Sequence, residues 1–533
     1  YDNGAMSKYA TLTSLAESPL AEGLLYTGSD DGLIHVSEDG GENWRKSASL
    51  PEVPMRAFIN DIEASSHDIN TLFAIADAHK LGDYKPYLFI SNDRGRSWDS
   101  LVGDLPAGLI VWVIKQDHKD ENLLFIGTER GLYFSNNKGE NWVKLQAGVP
   151  TIPFRDIELH ARDNDLVGAT FGRGFYVLDD YSVLRTLSAA VKNQSNRLFP
   201  VRDAWWYVPN LPMQAKGMPT LGSTNYVAKN PPFGAVFTYH INMVPKTAAK
   251  NRKAEEVSLR EKQASIPFPG WEVLREQAHE NEPQVLLLVK DESGQPIRWI
   301  EGAEALGVHR ASWDLRLPAP HAINLIKPAF KPPWAGDPKG PLVAPGKYTV
   351  TLYIIHQGVM EVQGSPQHFE VKPVPSLMAG TDVAALAAFQ QKTSELMGQI
   401  KGAGQKITEA YTRLEYLKAA LKETPKATAQ HFAQWNQQRN QLNQLQMRLN
   451  GDPIRQGFNE ATSPSISGRI GHIASGHWAT RQNPTQTYQD NFEMAARDFT
   501  QFTGDLEQYL LALEQYEAAL AAAGAPYTRG RKL

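Results

Sequence analysis

The sequence predicts a multidomain protein: β-propeller blades forming a partial ring, then a β-sandwich, then a C-terminal antiparallel α-helical bundle. Three observations predict it. First, Ser37-Glu-Asp39-Gly-Gly41-Glu-Asn43-Trp44, Ser91-Asn-Asp93-Arg-Gly95-Arg-Ser97-Trp98 and Ser135-Asn-Asn137-Lys-Gly139-Glu-Asn141-Trp142 repeat one pattern in register. Repetition at a fixed period, each copy following short apolar runs, marks a propeller or solenoid. Second, the stretch 197–372 holds β-branched and aromatic runs separated by turn signals. Third, after residue 379 apolar side chains recur at steps of three and four, as on one helix face.

A chain of 533 residues is long enough for several cores, since single cores stop growing near 250–300 residues. A formal net charge of -4 gives no electrostatic reason to expect nucleic acid or an anionic membrane surface. No apolar run approaches the roughly 18–20 residues that span a bilayer. There are no cysteines, which excludes disulfides and thiolate chemistry and suits either the cytosol or an exported bacterial protein. The sequence opens on Tyr1 without an initiator Met or a signal peptide, so the expectation is that something upstream has been removed.

Residues 1–186 read as four blades, three with the repeat turn. The first has strands at Tyr9–Ala16, Leu24–Gly28, Leu33–Ser37 and Asn43–Lys46, and the second at Phe58–Ala64, Thr71–Ala76, Tyr87–Ser91 and Ser97–Leu101. The third runs through Ile110–Gln116, Leu123–Gly127, Leu132–Ser135 and Asn141–Leu145, and the fourth, without the turn, through Arg155–His160, Asp165–Thr170 and Phe175–Leu178. The turn residues are structural: Asp39, Asp93 and Asn137 bond the backbone, Gly41, Gly95 and Gly139 allow positive φ, Ser37, Ser91 and Ser135 add a polar partner, and Trp44, Trp98 and Trp142 pack between sheets. This pattern resembles the Asp-box, or BNR, repeat of sialidases, sortilin-type receptors and xyloglucan-degrading hydrolases. Rings of that kind are generally larger than four blades, so the missing blades are expected from upstream sequence or a companion chain that covers the open edges.

In 197–372, Gly234–Ile241, Gln284–Asp291, Val308–Leu317 and Lys347–His356 are strand candidates, and a partly helical insertion falls near 251–282. Trp313-Asp-Leu with the later Pro345-Gly-Lys-Tyr348-Thr-Val resembles the immunoglobulin-like sandwich of exported bacterial proteins. The Pro-rich stretch Pro328–Pro345 reads as a long ordered loop. The span 379–524 reads as three helices, N-capped at Thr381, the first stopped by Pro425, the second including Phe432, Trp435 and Leu442, and the third running from Tyr488 to Leu520 before Gly524. Residues 525–533 form a tail. The bundle offers an expected route to oligomers.

In a blade the repeat turn lies on one face and the loop between strands two and three on the other, where propeller ligand sites cluster. That geometry nominates Asp30, Asp31, His79, Asp83, Tyr84, Trp112, Glu129, Arg130, Phe171 and Arg173 as binding candidates, with Arg56, Asp104 and Phe154 at the blade connections. Asp30, Asp31 and Glu129 are also the candidates for a catalytic carboxylate pair, against the plain reading that Asp-Asp-Gly makes a good turn. No cofactor and no metal site is expected. His472 and His477 are five apart, off the one-face helical spacing of a metal pair.

Ala16-Glu-Ser-Pro19, Gly28-Ser-Asp-Asp-Gly-Leu-Ile-His-Val-Ser37, Gly127-Thr-Glu-Arg-Gly-Leu-Tyr133 and Ala169-Thr-Phe-Gly-Arg-Gly-Phe-Tyr-Val-Leu-Asp-Asp180 look like a family of large bacterial exported proteins. Its members carry sortilin-like Asp-box propeller repeats and are often labelled glycosyl hydrolase. The resemblance implies the C-terminal portion of such a protein, located in the periplasm or outside the cell. It leaves two functions open. One is a non-catalytic binding or scaffold protein that takes a peptide, protein or glycan on the propeller face. The other is a glycoside hydrolase of the xyloglucanase type acting on a polysaccharide.

Overall fold

The computed structural model describes residues 10–146, 148–187, 195–209, 226, 228–325, 330, 332, 336–375 and 381–531. Tyr9, parts of the Pro328–Pro345 loop and the last two tail residues therefore lie outside the described residues. The chain divides into two units, Tyr1–Ser195 and Asn196–Leu533.

The first unit is a series of small antiparallel sheets in propeller-blade order. Blade one has β1 (Leu12–Glu17), β2 (Leu25–Ser29), β3 (Ile34–Ser37) and β4 (Arg45–Lys46), and blade two has β5 (Phe58–Ala64), β6 (Leu72–Ala78), β7 (Asp83–Ser91) and β8 (Asp99–Ser100). Blade three has β9 (Val111–Gln116), β10 (Leu124–Thr128), β11 (Gly131–Ser135) and β12 (Val143–Lys144), and blade four has three strands, β13 (Phe154–His160), β14 (Asp165–Thr170) and β15 (Phe175–Leu178). The first strands form the inner row, β1 packing on β5, β5 on β9 and β9 on β13.

Apolar seams hold neighbouring blades together. Tyr26 and Val36 meet Ile59 and Ile62 in the first seam, Phe73 and Leu88 meet Val111 and Ile114 in the second, and Phe125 and Phe134 meet Phe154 and Ile157 in the third. Each such side chain contributes roughly 1.5–3 kcal/mol on burial. Among the described residues, the two end faces lack this cover. Leu12 and Leu15 hold the positions in β1 that Ile59 and Ile62 hold in β5, yet they are 64% and 70% exposed, against 0% and 3%. On the far side of blade four, Phe175 and Val177 are 77% and 56% exposed.

The repeat turns close on themselves. In the second, Ser91 Oγ donates to Asp93 Oδ1 at 2.8 Å and accepts from Gly95 N–H at 2.8 Å, while Asp93 also accepts from Ser97 N–H and Ser97 Oγ. Asn137 replaces the carboxylate in the third turn and accepts from Ser135 Oγ and Asn141 N–H. Lys138 and Gly139 both have positive φ, 56° and 85°, as a tight hairpin turn requires. The Trp serves the seam and not its own blade: Trp98 Nε1 donates to Ser47 Oγ of blade one and Trp142 Nε1 to the Leu101 carbonyl of blade two. Trp44 departs from the expected packing between sheets. It is 43% exposed, against 6% and 8%, and donates only within its own turn, to the Gly41 carbonyl.

In the second unit, β16 (Arg197–Leu198), β17 (Ala204–Trp206), β18 (Ala235–Ile241), β19 (Gln284–Asp291), β20 (Pro296–Gly302), β21 (Gly307–Trp313), β22 (Gly346–His356), β23 (Val359–Val362) and β24 (Gln367–Pro373) make two sheets. One is ordered β16-β18-β21 and the other β17-β24-β22-β19-β20, with β23 on β22. The two share one core, where Phe237, Tyr239 and Trp313 meet Leu287, Val350 and Phe369. Helices α1 (Ala248–Glu261) and α2 (Trp271–His279) interrupt the strands between β18 and β19.

The C-terminal region is helical: α3 (Val383–Lys422), α4 (Ala429–Asn450), α5 (Pro453–Gly457), α6 (Ile466–His477) and α7 (Gln486–Ala522). Three helices were the expectation. The Gly- and Ser-rich stretch that hides α6 still places Ile466, Ile470 and Ile473 on one buried face behind a Ser465 N-cap. The α3 cap is Asp382, not Thr381, its carboxylate accepting from Ala385 N–H at 3.0 Å. Phe432 is 47% exposed and stands outside the seam. His477 is core, 1% exposed and edge-on to Phe389.

Candidate functional site

Strand register brings the starts of the inner strands to the same end as the hairpins between second and third strands: Leu12 faces Ser29, Phe58 faces Asp77, Val111 faces Thr128 and Phe154 faces Thr170. At that end every inner strand carries a β-bulge. The unpaired residues are Thr13, Asn60, Trp112 and Arg155. A bulge re-aims a side chain out of the alternating pattern, and Thr13, Asn60 and Trp112 each reach the next blade. Thr13 Oγ1 donates to the Ile59 carbonyl at 2.7 Å, and Asn60 Nδ2 to the Val111 carbonyl at 3.4 Å. The ring of Trp112 underlies Arg155, whose guanidinium carbon is 3.5 Å from the ring centroid.

Around that stack three blades converge. His79 meets Trp112 edge-on with centroids 5.9 Å apart, and its Nδ1 lies 2.6 Å from Asp77 Oδ1. Glu129 Oε2 accepts from Trp112 Nε1 at 2.9 Å. The Phe171 ring lies 5.8 Å from the Arg155 guanidinium and is 72% exposed. Of the nominated residues, His79, Trp112, Glu129 and Phe171 are thus brought together. Asp77 and Arg155, read from sequence only as a loop end and a strand start, complete the cluster.

The other nominated residues are placed apart from it. Asp30 Oδ1 accepts from Thr11 N–H and Asp31 Oδ1 from Ser29 Oγ, so both brace the β2–β3 hairpin. Asp83 and Tyr84, expected in a loop, lie in β7, because the second hairpin extends past its neighbours through a bulge at Asp77. Asp83 accepts from Tyr87 Oη at 2.7 Å and from Lys85 N–H. Those bonds hold its carboxyl below the usual range, while burial and Asp83 push the Tyr87 phenol up to about 12. Asp104 is not on this face: it accepts from Trp142 N–H and Asn141 Nδ2 of the third repeat turn. Phe154 is core at 0% exposure.

The cations of this face differ from its acids. The acids just named each accept an internal hydrogen bond. Among the described residues, no carboxylate pairs with Arg130, Arg155 or Arg173, and Lys80 meets only the Phe58 ring at 4.8 Å.

Further down the inner strands, Asp61 Oδ2 accepts from Ile114 N–H at 3.0 Å, and Lys115 Nζ donates to Glu63 Oε2 at 2.7 Å. Burial pushes the Asp61 and Glu63 carboxyls up, beside the like charges of Asp156 and Glu158. On the opposite end, His160, Asp163 and Asp165 place three ligand-type atoms within 4.8 Å of one another. Arg162 already occupies Asp163 there at 2.6 Å, and Asp165 accepts from Asp180 N–H.

No family model matches the chain, and no curated protein matches it. Among solved structures, an ancestral GH74 enzyme is 21% identical over 30% of this chain and 22% of that one, with a TM-score of 0.26. The GH74 xyloglucanase from Xanthomonas campestris is 13% identical over 66% of this chain and 45% of that one, TM-score 0.26. YCF48 bound to D1 peptide is 16% identical over 32% and 52%, TM-score 0.26. The chain therefore spans from 22% to 52% of these structures, and no function is taken from them. No helix among the described residues is long and apolar enough to cross a membrane.

Proposed function

We propose that this chain is an exported, non-catalytic binding or scaffold protein of the sortilin-like, Asp-box type. Its blades belong to a larger ring, and the hairpin face takes a peptide, protein or glycan ligand. The observation that carries the binding reading is the convergence of three blades on Trp112 and Arg155, with the guanidinium presented unpaired beside the exposed Phe171. A hydrolase needs two carboxylates poised across one bond. Here Asp30, Asp31 and Glu129 each hold a local hydrogen bond in hairpins of blades one and three. The immunoglobulin-like reading of the two sheets in the second unit belongs to the same proposal.

The end faces support the larger ring. Leu12, Leu15 and Trp44 are the side chains whose counterparts in blades two and three lie under a preceding blade. A further blade, from upstream sequence or a companion chain, is the partner that fits them, and another fits Phe175 and Val177.

The test is a panel of soluble polysaccharides and peptides offered to the full chain, with binding and release of reducing ends measured in the same samples. Binding that weakens in Arg155→Ala, without release, is the expected result. Release of reducing ends that disappears in Glu129→Gln or Asp30→Asn would replace this reading with the hydrolase.

A further inference from the structure

We infer that the hairpin face recognises a carboxylate-bearing glycan, with Arg155 as its anchoring cation. The inference rests on the binding reading above and adds the chemistry of the ligand.

An arginine stacked on an aromatic ring keeps the edge of its guanidinium free, where its N–H donors match a carboxylate bidentately. Arg155 fits that arrangement: its guanidinium carbon lies 3.5 Å from the Trp112 ring centroid, and no protein acceptor takes its N–H groups among the described residues. Trp112 is itself held by Glu129 Oε2 at 2.9 Å, so the platform is fixed before any ligand arrives. Glu129 and Trp112 are positioning residues in this arrangement; Arg155 makes the contact.

The charge of the ligand group follows from the free donors of Arg155. The hairpin acids keep their charge while accepting from neutral internal donors, and none of them pairs with Arg130 or Arg173 on the neighbouring hairpins among the described residues. Glu52 and Asp156 are exposed acids at this end, and neither pairs with these arginines. On the opposite end of the same sheets, Arg45, Arg94 and Arg96 all pair with Glu38. A protein of formal net charge -4 has no general attraction for polyanions, so a local array must supply it.

The class of ligand follows from the spacing and the rings. The free cations sit on separate hairpins, which suits an extended chain with repeated single charges. Exposed Phe171 stands beside Arg155, its ring 5.8 Å from the guanidinium, and offers a flat apolar face to a sugar ring. An acidic glycan has both properties.

The experiment is isothermal titration of the full chain with three probes: polygalacturonate, its fully methyl-esterified form, and poly-glutamate. The expected result is binding of polygalacturonate that falls with added salt and is about tenfold or more weaker for the ester. Arg155→Ala should lose affinity to the same degree, and Arg173→Ala should lose less. Both side chains are exposed, and unchanged circular dichroism and melting will establish that the variants fold. Equal binding of ester and acid, with loss in Arg155→Ala, would overturn the carboxylate inference and keep a binding face. Tighter binding of poly-glutamate would overturn the glycan class in favour of an acidic protein. No binding of any probe would overturn the inference. Release of reducing ends would overturn the binding reading beneath it.

Discussion

The two ends of the blade series are built from the same strands and differ in how their polar groups are satisfied. At the repeat-turn end, Ser37, Asp39 and Asn43 and their counterparts bond one another within a few residues, and Glu38 collects Arg45, Arg94 and Arg96. At the hairpin end, no two blades present the same side chain at the bulge: Thr13, Asn60, Trp112 and Arg155 stand at equivalent positions. Repetition marks what the fold needs, and variation over a repeated frame marks where binding is free to be built.

The largest expected break is at Asp117, near the repeat-turn end. Its carboxylate has no solvent exposure and accepts from Arg185 Nε at 2.7 Å, Arg185 Nη2 at 2.8 Å and Tyr181 Oη at 2.7 Å. Asp117→Ala strands a half-buried guanidinium and is expected to cost about 3 kcal/mol or more, read as a fall in the urea midpoint of the blade transition. Trp98→Ala should cost about 3 kcal/mol because it empties a seam, whereas Trp44→Ala, at an uncovered face, should cost under about 1.5 kcal/mol. Equal losses would contradict the open end face.

The smaller effects are pH effects, of opposite sign at different levels of the blades. Burial alone would raise Asp117, but the bonds from Arg185 and Tyr181 outweigh it and hold its carboxyl below the usual range. Asp93 is held at about 2, chiefly by the Ser97 hydroxyl. A depressed carboxyl contributes stability that is present above its unfolded value near pH 4 and lost as pH falls through its folded value. Acid should therefore weaken the unit only below about pH 4. Asp93→Asn, which copies the third turn's Asn137, should retain the fold and flatten part of that loss. Asp61 runs the other way. Burial raises its carboxyl, so its contribution is present at low pH and lost as pH rises through the folded value. Asp61→Asn keeps an acceptor for Ile114 N–H and should raise stability at neutral pH, measured as a higher urea midpoint. A fall would show that the ionised form is the stabilising one.

The blades were legible because their signals are local. The repeat turn is bonded within its own few residues, and the strands between the turns are short, largely apolar runs. The long helices declared themselves through Leu386 to Leu421 and Tyr488 to Leu520 at helical spacing. The Trp98 bond to Ser47 was not legible, since it joins residues about fifty positions apart across two sheets. Arg155 was missed for a different reason. A bulge spaces buried residues three apart, as in Ile59 and Ile62, Val111 and Ile114, and Phe154 and Ile157, where an unbroken strand would space them by two. That spacing was present in the sequence and would have singled out the pair between each as a break. Asp104 was misplaced because a blade connection can run to either end, and only its bond to Trp142 N–H decides which.

The most direct measurement is amide hydrogen exchange of the full chain with and without polygalacturonate. The account predicts new protection in the hairpins around 78–83, 128–131 and 170–175, and none in the repeat turns around 37–45, 91–99 and 135–143. Protection confined to the repeat turns, with the hairpins unchanged, would contradict it.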